Sequence, residues 1–142
     1  MDGILNVESI VLGASFAHKS DAIRHAGEVL LSSGYVTANY IDLMLKRETM
    51  ASTYMGNHLA IPHGVDGSES EIIRSGISVV QIPEGVSFGD GNIAYVVIGI
   101  AGKEGSHLDI LNQVAIVCME EENVEKMRCA KSRQEILDVL GL

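Results

Sequence analysis

Gly76-Ile77-Ser78-Val79-Val80-Gln81-Ile82 and Tyr95-Val96-Val97-Ile98-Gly99-Ile100-Ala101 decide how this chain reads. Both stretches are rich in Val and Ile, as buried strands are. Between them, Pro83-Glu84-Gly85 and Gly89-Asp90-Gly91 mark turns. Upstream, Val7 to Leu12 has the pattern of a first short strand. Ser20 is placed to cap a helix running to about Ser32, with Ala22, Ile23, Ala26, Val29 and Leu30 on one apolar face and Gly34 as its stop. Thr37 is placed to cap a second helix that carries Ile41, Met44 and Leu45 and ends near Arg47 and Glu48. Residues 53–61 mix loop and strand character. Downstream, Ser106 reads as the cap of a third helix, with Leu108, Leu111, Val114, Ala115 and Cys118 on one face. Asn123 reads as the start of a short fourth helix. Ser132-Arg133-Gln134-Glu135 forms a capping box that opens the last helix, which carries Ile136, Leu137 and Leu140. Strands interleaved with helices at this spacing predict an α/β layered domain with a largely buried sheet.

The 142 residues suffice for one domain with a real core. The apolar fraction is 46%, which argues against disorder. No apolar run reaches the roughly 20 residues a membrane-spanning helix needs. No secretory signal follows Met1-Asp2-Gly3, so Cys118 and Cys129 read as reduced cytosolic thiols. The formal net charge of −9 opposes binding to a nucleic-acid backbone and suits a basic protein partner. Glu120-Glu121-Glu122 reads as a solvated junction between helices.

Chemistry concentrates in Arg47-Glu48-Thr49-Met50-Ala51-Ser52-Thr53-Tyr54-Met55-Gly56-Asn57-His58-Leu59-Ala60-Ile61-Pro62-His63-Gly64. A neutral imidazole at His63 is a nucleophile near pH 7 and can take a phosphoryl group without a separate base. Pro62 limits the backbone before the ring, and Gly64 removes a side chain after it, leaving room for another surface. Pro62-His63-Gly64 also reads as a plain surface turn. His107, at the start of the third helix, can donate to a phosphoryl oxygen or be an ordinary exposed histidine. Arg47 can pair two phosphoryl oxygens or simply sit as a cation at a helix C-terminus. Ser52 and Thr53 can donate to the same group or satisfy a turn.

A metal reading of His58 and His63 is disfavoured. The two are five apart with Pro62 between them, and no further ligand sits at spacing nearby. His18 and His25 read as solvated, and Cys118 as a core thiol. Arg128 and Lys131 near Cys129 can lower its pKa, but no histidine is close to it in sequence. The glycines from Gly85 to Gly91 lack a following Lys-Ser/Thr and read as a hairpin-like turn.

Taken together, Arg-Glu, Thr-Tyr-x-Gly and Ala-Ile-Pro-His-Gly resemble the active-site segment of the mannitol/fructose-type enzyme IIA domains of the bacterial phosphoenolpyruvate-dependent sugar phosphotransferase system. The resemblance continues through Pro83-Glu84-Gly85-Val86-x-Phe88-Gly89, through Val97 to Ala101, and through His107-Leu108. It covers about Ile4 to Leu142, so that 1–142 reads as one IIA domain. It implies a mixed sheet of about five strands flanked by helices. His63 would be the histidine phosphorylated on Nε2 by the phosphocarrier HPr. His107 would steady the phosphoryl group, Arg47 would balance its charge, and Thr53 would supply a loop hydroxyl. The group would pass to a cysteine of an enzyme IIB partner for mannitol or fructose uptake. The resemblance implies no cofactor and no metal, a cytoplasmic location, and contact with the membrane only through the permease.

Thr53-Tyr54-Met55-Gly56 looks most like the mannitol branch, and His58 departs from the small or polar residue expected there. The chain carries no IIB-like cysteine loop, so it reads as a separate IIA protein or an excised domain. The start at Met1 favours the former. A regulatory relative using the same phosphohistidine as a binding switch is the alternative.

Overall fold

The two Val/Ile stretches become the longest strands of the sheet, β4 (Gly76–Ser87) and β5 (Ile93–Ala101), paired antiparallel. The computed structural model describes residues 4–103 and 107–141, with the backbone alone at 107 and 108. Three short strands complete the sheet: β1 (Ile10–Val11), β2 (Tyr54–Gly56) and β3 (Leu59–Ala60). The order is β1-β4-β5-β3-β2, with β1 parallel to β4 and β3 parallel to β5. The helices are α1 (Lys19–Ser32), α2 (Asn39–Met50), α3 (His107–Cys118), α4 (Glu121–Arg128) and α5 (Arg133–Leu140). This is the expected layered α/β domain, a five-stranded mixed sheet with helices on both faces.

Alternation along the two central strands divides the core. Ile77, Val79, Val96, Ile98 and Ile100 pack with Ile110, Val114, Val124, Met127, Ile136 and Leu140 of α3 to α5. Val80, Ile82, Val97 and Ala101 pack with Ala22, Ile23, Ala26, Leu30 and Met44 of α1 and α2. Each fully buried Val or Ile contributes about 1.5–3 kcal/mol, so the central strands dominate the stability of both layers.

Local chemistry shifts several expected boundaries. The first strand shrinks to two residues because Val7–Ser9 coils into a 3₁₀ turn, in which Ser9 donates its amide to Asn6 O and its hydroxyl to Asn6 Oδ1. The helix expected to be capped by Ser20 starts at Lys19, with His18 as its extended cap residue. Thr37 does not cap α2 with its side chain, since its hydroxyl donates to Glu71. Glu121 and Glu122 are not junction residues. They form the first turn of α4, where carboxylates face the positive helix end. Pro83-Glu84-Gly85 is not a turn between strands but a bulge inside β4. Gln81 faces Val96 and Val86 faces Ala94, so five steps on β4 match two on β5. A bulge tolerates the missing proline amide. The reversal comes at residues 88–92, where Phe88 N–H donates to Asn92 O. The capping box at Ser132 and Glu135 forms as expected. Ser106, expected to cap α3, lies outside the described residues.

Gly99 sets how closely α1 rides on the sheet. Ser78, its partner across the ladder, donates its hydroxyl to Ala26 O of α1 at 2.9 Å. A Cβ on Gly99 would lie 2.6 Å from Ser78 Oγ and 3.2 Å from Ala26 Cβ. Gly99→Val should therefore destabilise the fold by about 1–3 kcal/mol through overpacking. Urea unfolding would read this as a lower midpoint at unchanged slope. An unchanged midpoint would show that α1 can withdraw at no cost.

Candidate functional site

His63 stands where β3 would continue. Leu59 and Ala60 pair with Val96 and Val97 of β5, and His63 resumes pairing with Ile100 at the same offset. Between them, Ile61 N–H turns to Thr53 O at 3.0 Å, while Ile100 N–H takes Pro62 O at 2.9 Å. The histidine thus emerges at the carboxyl end of two parallel strands, where α/β sheets commonly bind ligands. Its ring is half-buried and lines a cleft of about 260 Å³ together with Tyr40, Gly64, Asp66, Glu69 and Lys103. His63 Nδ1 lies 2.8 Å from Ile61 O. A carbonyl can only accept, so Nδ1 carries the proton in the neutral ring and Nε2 carries the nucleophilic lone pair.

Tyr40 holds the far side of the histidine. Its hydroxyl donates to Ile100 O at 2.7 Å and accepts Gly64 N–H at 2.9 Å. Burial, opposed by the Gly64 hydrogen bond and helped by nearby Glu69, pushes this phenol up to about 12. The room beside Gly64 is not left for another surface. A Cβ there would lie 2.7 Å from the Tyr40 ring and 2.8 Å from Ser68 Oγ, so the chain's own side chains occupy that space.

Arg47 is half-buried near the end of α2 and donates from Nη1 to Ala51 O at 2.6 Å. It lines an adjoining hollow with Lys46, Met50, Val65 and Asp66, and the last two also line the His63 cleft. The fold thus places Arg47 and His63 on either side of one short segment. Thr53 is buried instead. Its hydroxyl and amide both donate to Glu48 Oε1, at 2.6 and 2.9 Å, and its carbonyl accepts the amide of Ile61, whose own carbonyl meets His63. The backbone at His107 opens α3, four residues beyond Lys103 and within about 14 Å of chain reach. The side chain of His107 lies outside the described residues.

Other candidates have structural roles. His58 sits in the β2–β3 turn at φ 66, with Nδ1 2.9 Å from Ile93 O and its ring 4.8 Å from that of Tyr95. His58 and His63 are therefore anchored toward opposite ends of β5. The Cys118 thiol is buried and pushed up to about 11. Cys129 overturns its expectation. Its S–H donates to Glu125 at 3.3 Å, and this hydrogen bond and carboxylate charge raise the thiol pKa, outweighing Arg128.

Sequence reasoning passed over Tyr40, Glu48 and the cleft residues Asp66, Glu69 and Lys103. Glu48 had a legible signal, a carboxylate four residues past Met44 on the apolar stripe of a helix.

Two outcomes follow from these contacts. Tyr40→Phe strips a partner from Ile100 O and from Gly64 N–H and should cost about 1–3 kcal/mol in denaturant unfolding. Because the Tyr40 pKa is raised, its stabilisation is complete below the ordinary tyrosine value and is lost only as pH climbs through about 12. A stability loss between wild type and Tyr40→Phe that vanishes below pH 9 would refute this account. Glu125→Gln should speed alkylation of Cys129 by iodoacetamide at pH 8 several-fold, and an unchanged rate would remove the carboxylate as the cause.

The comparisons with known proteins converge on one group. The sequence profile described as "Phosphoenolpyruvate-dependent sugar phosphotransferase system, EIIA 2" matches residues 3–141. The chain is 54% identical to the mannitol-specific phosphotransferase enzyme IIA component of Geobacillus stearothermophilus, over 97% of this chain and 95% of that one. It is 50% identical to the corresponding component of Bacillus subtilis, over 97% and 96%. In three dimensions it is similar to the crystal structure of IIA mannitol from Escherichia coli, with a TM-score of 0.90, 37% identity and coverage of 96% and 98%. It is similar also to enzyme IIA in a complex with phosphorylated enzyme IIB from the same organism, with a TM-score of 0.91, 36% identity and coverage of 96% of each chain. The protein whose half-buried histidine ends the β3 extension belongs to the EIIA type 2 family of the phosphoenolpyruvate-dependent sugar phosphotransferase system, and is most like its mannitol branch.

Proposed function

We propose that this protein is a phosphohistidine carrier, accepting a phosphoryl group on His63 Nε2 from phosphorylated HPr and passing it to a cysteine of an enzyme IIB partner for mannitol uptake. The observation that carries this reading is the bond from His63 Nδ1–H to Ile61 O, which assigns the lone pair to Nε2. The names of its relatives support the sugar, and the Escherichia coli complex supports a IIB partner.

Each transfer is an in-line displacement at phosphorus. In the first, the nitrogen–phosphorus bond of the donor histidine breaks as the bond to His63 Nε2 forms. In the second, that bond breaks as a sulfur–phosphorus bond forms on the partner. The proton stays on Nδ1, hydrogen-bonded to the Ile61 carbonyl, in both steps, and the partner cysteine attacks as its thiolate, so the ring alternates between neutral nucleophile and activated donor with no other base. Alignment of the two reacting groups and fixed charge around the phosphoryl oxygens together supply the acceleration. Arg47 beside the cleft balances the incoming negative charge, and His107 at the head of α3 steadies the phosphoryl oxygens.

No helix among the described residues is long and apolar enough to cross a membrane. The proposed carrier works in the cytoplasm and reaches the membrane through its permease. The acidic balance of −9 favours encounter with a basic donor face.

Incubation with phosphoenolpyruvate, enzyme I and HPr, followed by intact-mass and peptide mapping, should yield one acid-labile phosphoryl group on His63 that requires HPr. His63→Ala should abolish it, and persistent labelling elsewhere would displace the site. His107→Ala should still accept the group but slow its onward transfer to IIB. Unchanged kinetics in both steps would remove His107 from the mechanism.

A further inference from the structure

We propose that Glu48 is a positioning residue for phosphoryl transfer, aligning His63 through Thr53 and Ile61 without touching the reacting atoms. The inference rests on the reading of His63 as the phosphoryl acceptor.

Glu48 is the buried carboxylate of α2, with its side chain 5% exposed. A buried charge is costly unless several donors satisfy it. Here Oε1 accepts both the amide and the hydroxyl of Thr53, and Oε2 accepts Lys19 Nζ at 3.1 Å. Lys19 Nζ in turn lies 5.9 Å from the centroid of the Phe88 ring, which follows the end of β4. These bonds fix Thr53, and Thr53 O fixes Ile61 by accepting its amide at 3.0 Å. Ile61 O then holds His63 Nδ1 at 2.8 Å. Pro62, the one residue between Ile61 and His63, has no amide hydrogen to donate, and its carbonyl accepts Ile100 N–H. An unbroken hydrogen-bonded path therefore runs from Lys19 through Glu48, Thr53 and Ile61 to the imidazole. Glu48 also follows Arg47 directly, so one buried anchor sets the positions of both the guanidinium-bearing turn and the histidine strand.

The geometry makes distinguishable demands on substitutions. Glu48→Gln keeps an oxygen acceptor for Thr53 and loses the charge toward Lys19. Glu48→Ala loses both. Thr53→Val removes one donor and leaves α2 unaltered. A misalignment of about 1 Å can cost on the order of 100-fold in rate, so Glu48→Ala should lower the turnover of phosphoryl acceptance at least about tenfold. The KM for phosphorylated HPr should change little, because the carboxylate is buried and out of reach of a docked protein. Glu48→Gln should recover most of the rate, and Thr53→Val should fall between.

The deciding experiment measures two quantities on wild type and the three variants. Long-range nitrogen-15 NMR reads the His63 tautomer with no donor present, and stopped-flow transfer from phosphorylated HPr reads turnover and KM. Loss of the Nδ1–H preference in Glu48→Ala and Thr53→Val, together with a fall in turnover at unchanged KM and rescue by Gln, supports the proposal. A folded Glu48→Ala or Thr53→Val with wild-type tautomer and turnover overturns it. Should Glu48→Ala fail to fold, Thr53→Val decides alone. Should wild type accept no phosphoryl group, the carrier reading fails, while the tautomer measurement still decides whether Glu48 positions the ring.

Discussion

The antiparallel ladder between β4 and β5 is the constraint on which everything else depends. It is buried on both faces, so each strand commits alternate side chains to two separate helical layers. That commitment leaves no freedom in register. A slip of one residue would exchange the two layers and place Ser78 and Gln81 against the wrong helices. Both polar residues are tied to a single arrangement. Ser78 donates to Ala26 O, and Gln81 accepts Gly13 N–H while donating to Met127 O and Ala130 O.

The carboxyl end of β5 converts this rigidity into a site. Ile100 places its side chain in the core beside α3 to α5 and keeps its backbone for the histidine segment. Its amide takes Pro62 O and its carbonyl takes the Tyr40 hydroxyl, which returns to Gly64 N–H. The residues before and after His63 are thus bonded to one residue of the central strand, directly or through one buried phenol. The imidazole is held by packing that extends through the whole domain. The carboxylate of Glu48 adds an anchor from the opposite direction. Burial pushes its pKa up, but the hydrogen bonds from Thr53, Ser52 and Lys19 more than offset this, leaving it below the ordinary value. The anchor is consequently charged at neutral pH, and its contribution disappears only as pH falls below the usual glutamate range.

Much of this fold is legible in order along the chain, because its decisive elements announce themselves locally. Val/Ile runs report strands covered twice, and the stripe from Ala22 to Leu30 reports a helix with one buried face. The capping box at Ser132 needs nothing beyond its four residues. Expectations fail where a local signal competes with a distant partner. Thr37 looks like a cap, but its hydroxyl is claimed by Glu71. Pro83-Glu84-Gly85 looks like a turn, but pairing with β5 resumes beyond it. Arg128 and Lys131 point toward a lowered Cys129 pKa, but Glu125 sits one helical turn away and accepts the thiol hydrogen bond.

The candidate site divides along the same line. The sequence by itself determined the family, through a motif series that includes a histidine preceded by Pro62, and it put His63 forward as the candidate reacting residue. Only tertiary structure decided which nitrogen keeps its lone pair, because the Ile61 carbonyl acquires its position from the Ile61 amide's bond to Thr53 O and from the pairing of Ala60 and His63 with β5. It also decided that Gly64 makes room for Tyr40 and Ser68, and that Thr53 serves Glu48 as a donor. The bonds of Thr53 to Glu48 and of Tyr40 to Ile100 join groups 5 and 60 residues apart in the chain. A local pattern can specify the side chain that will react. It carries no information about the distant backbone groups that orient it, since those meet only when the sheet closes.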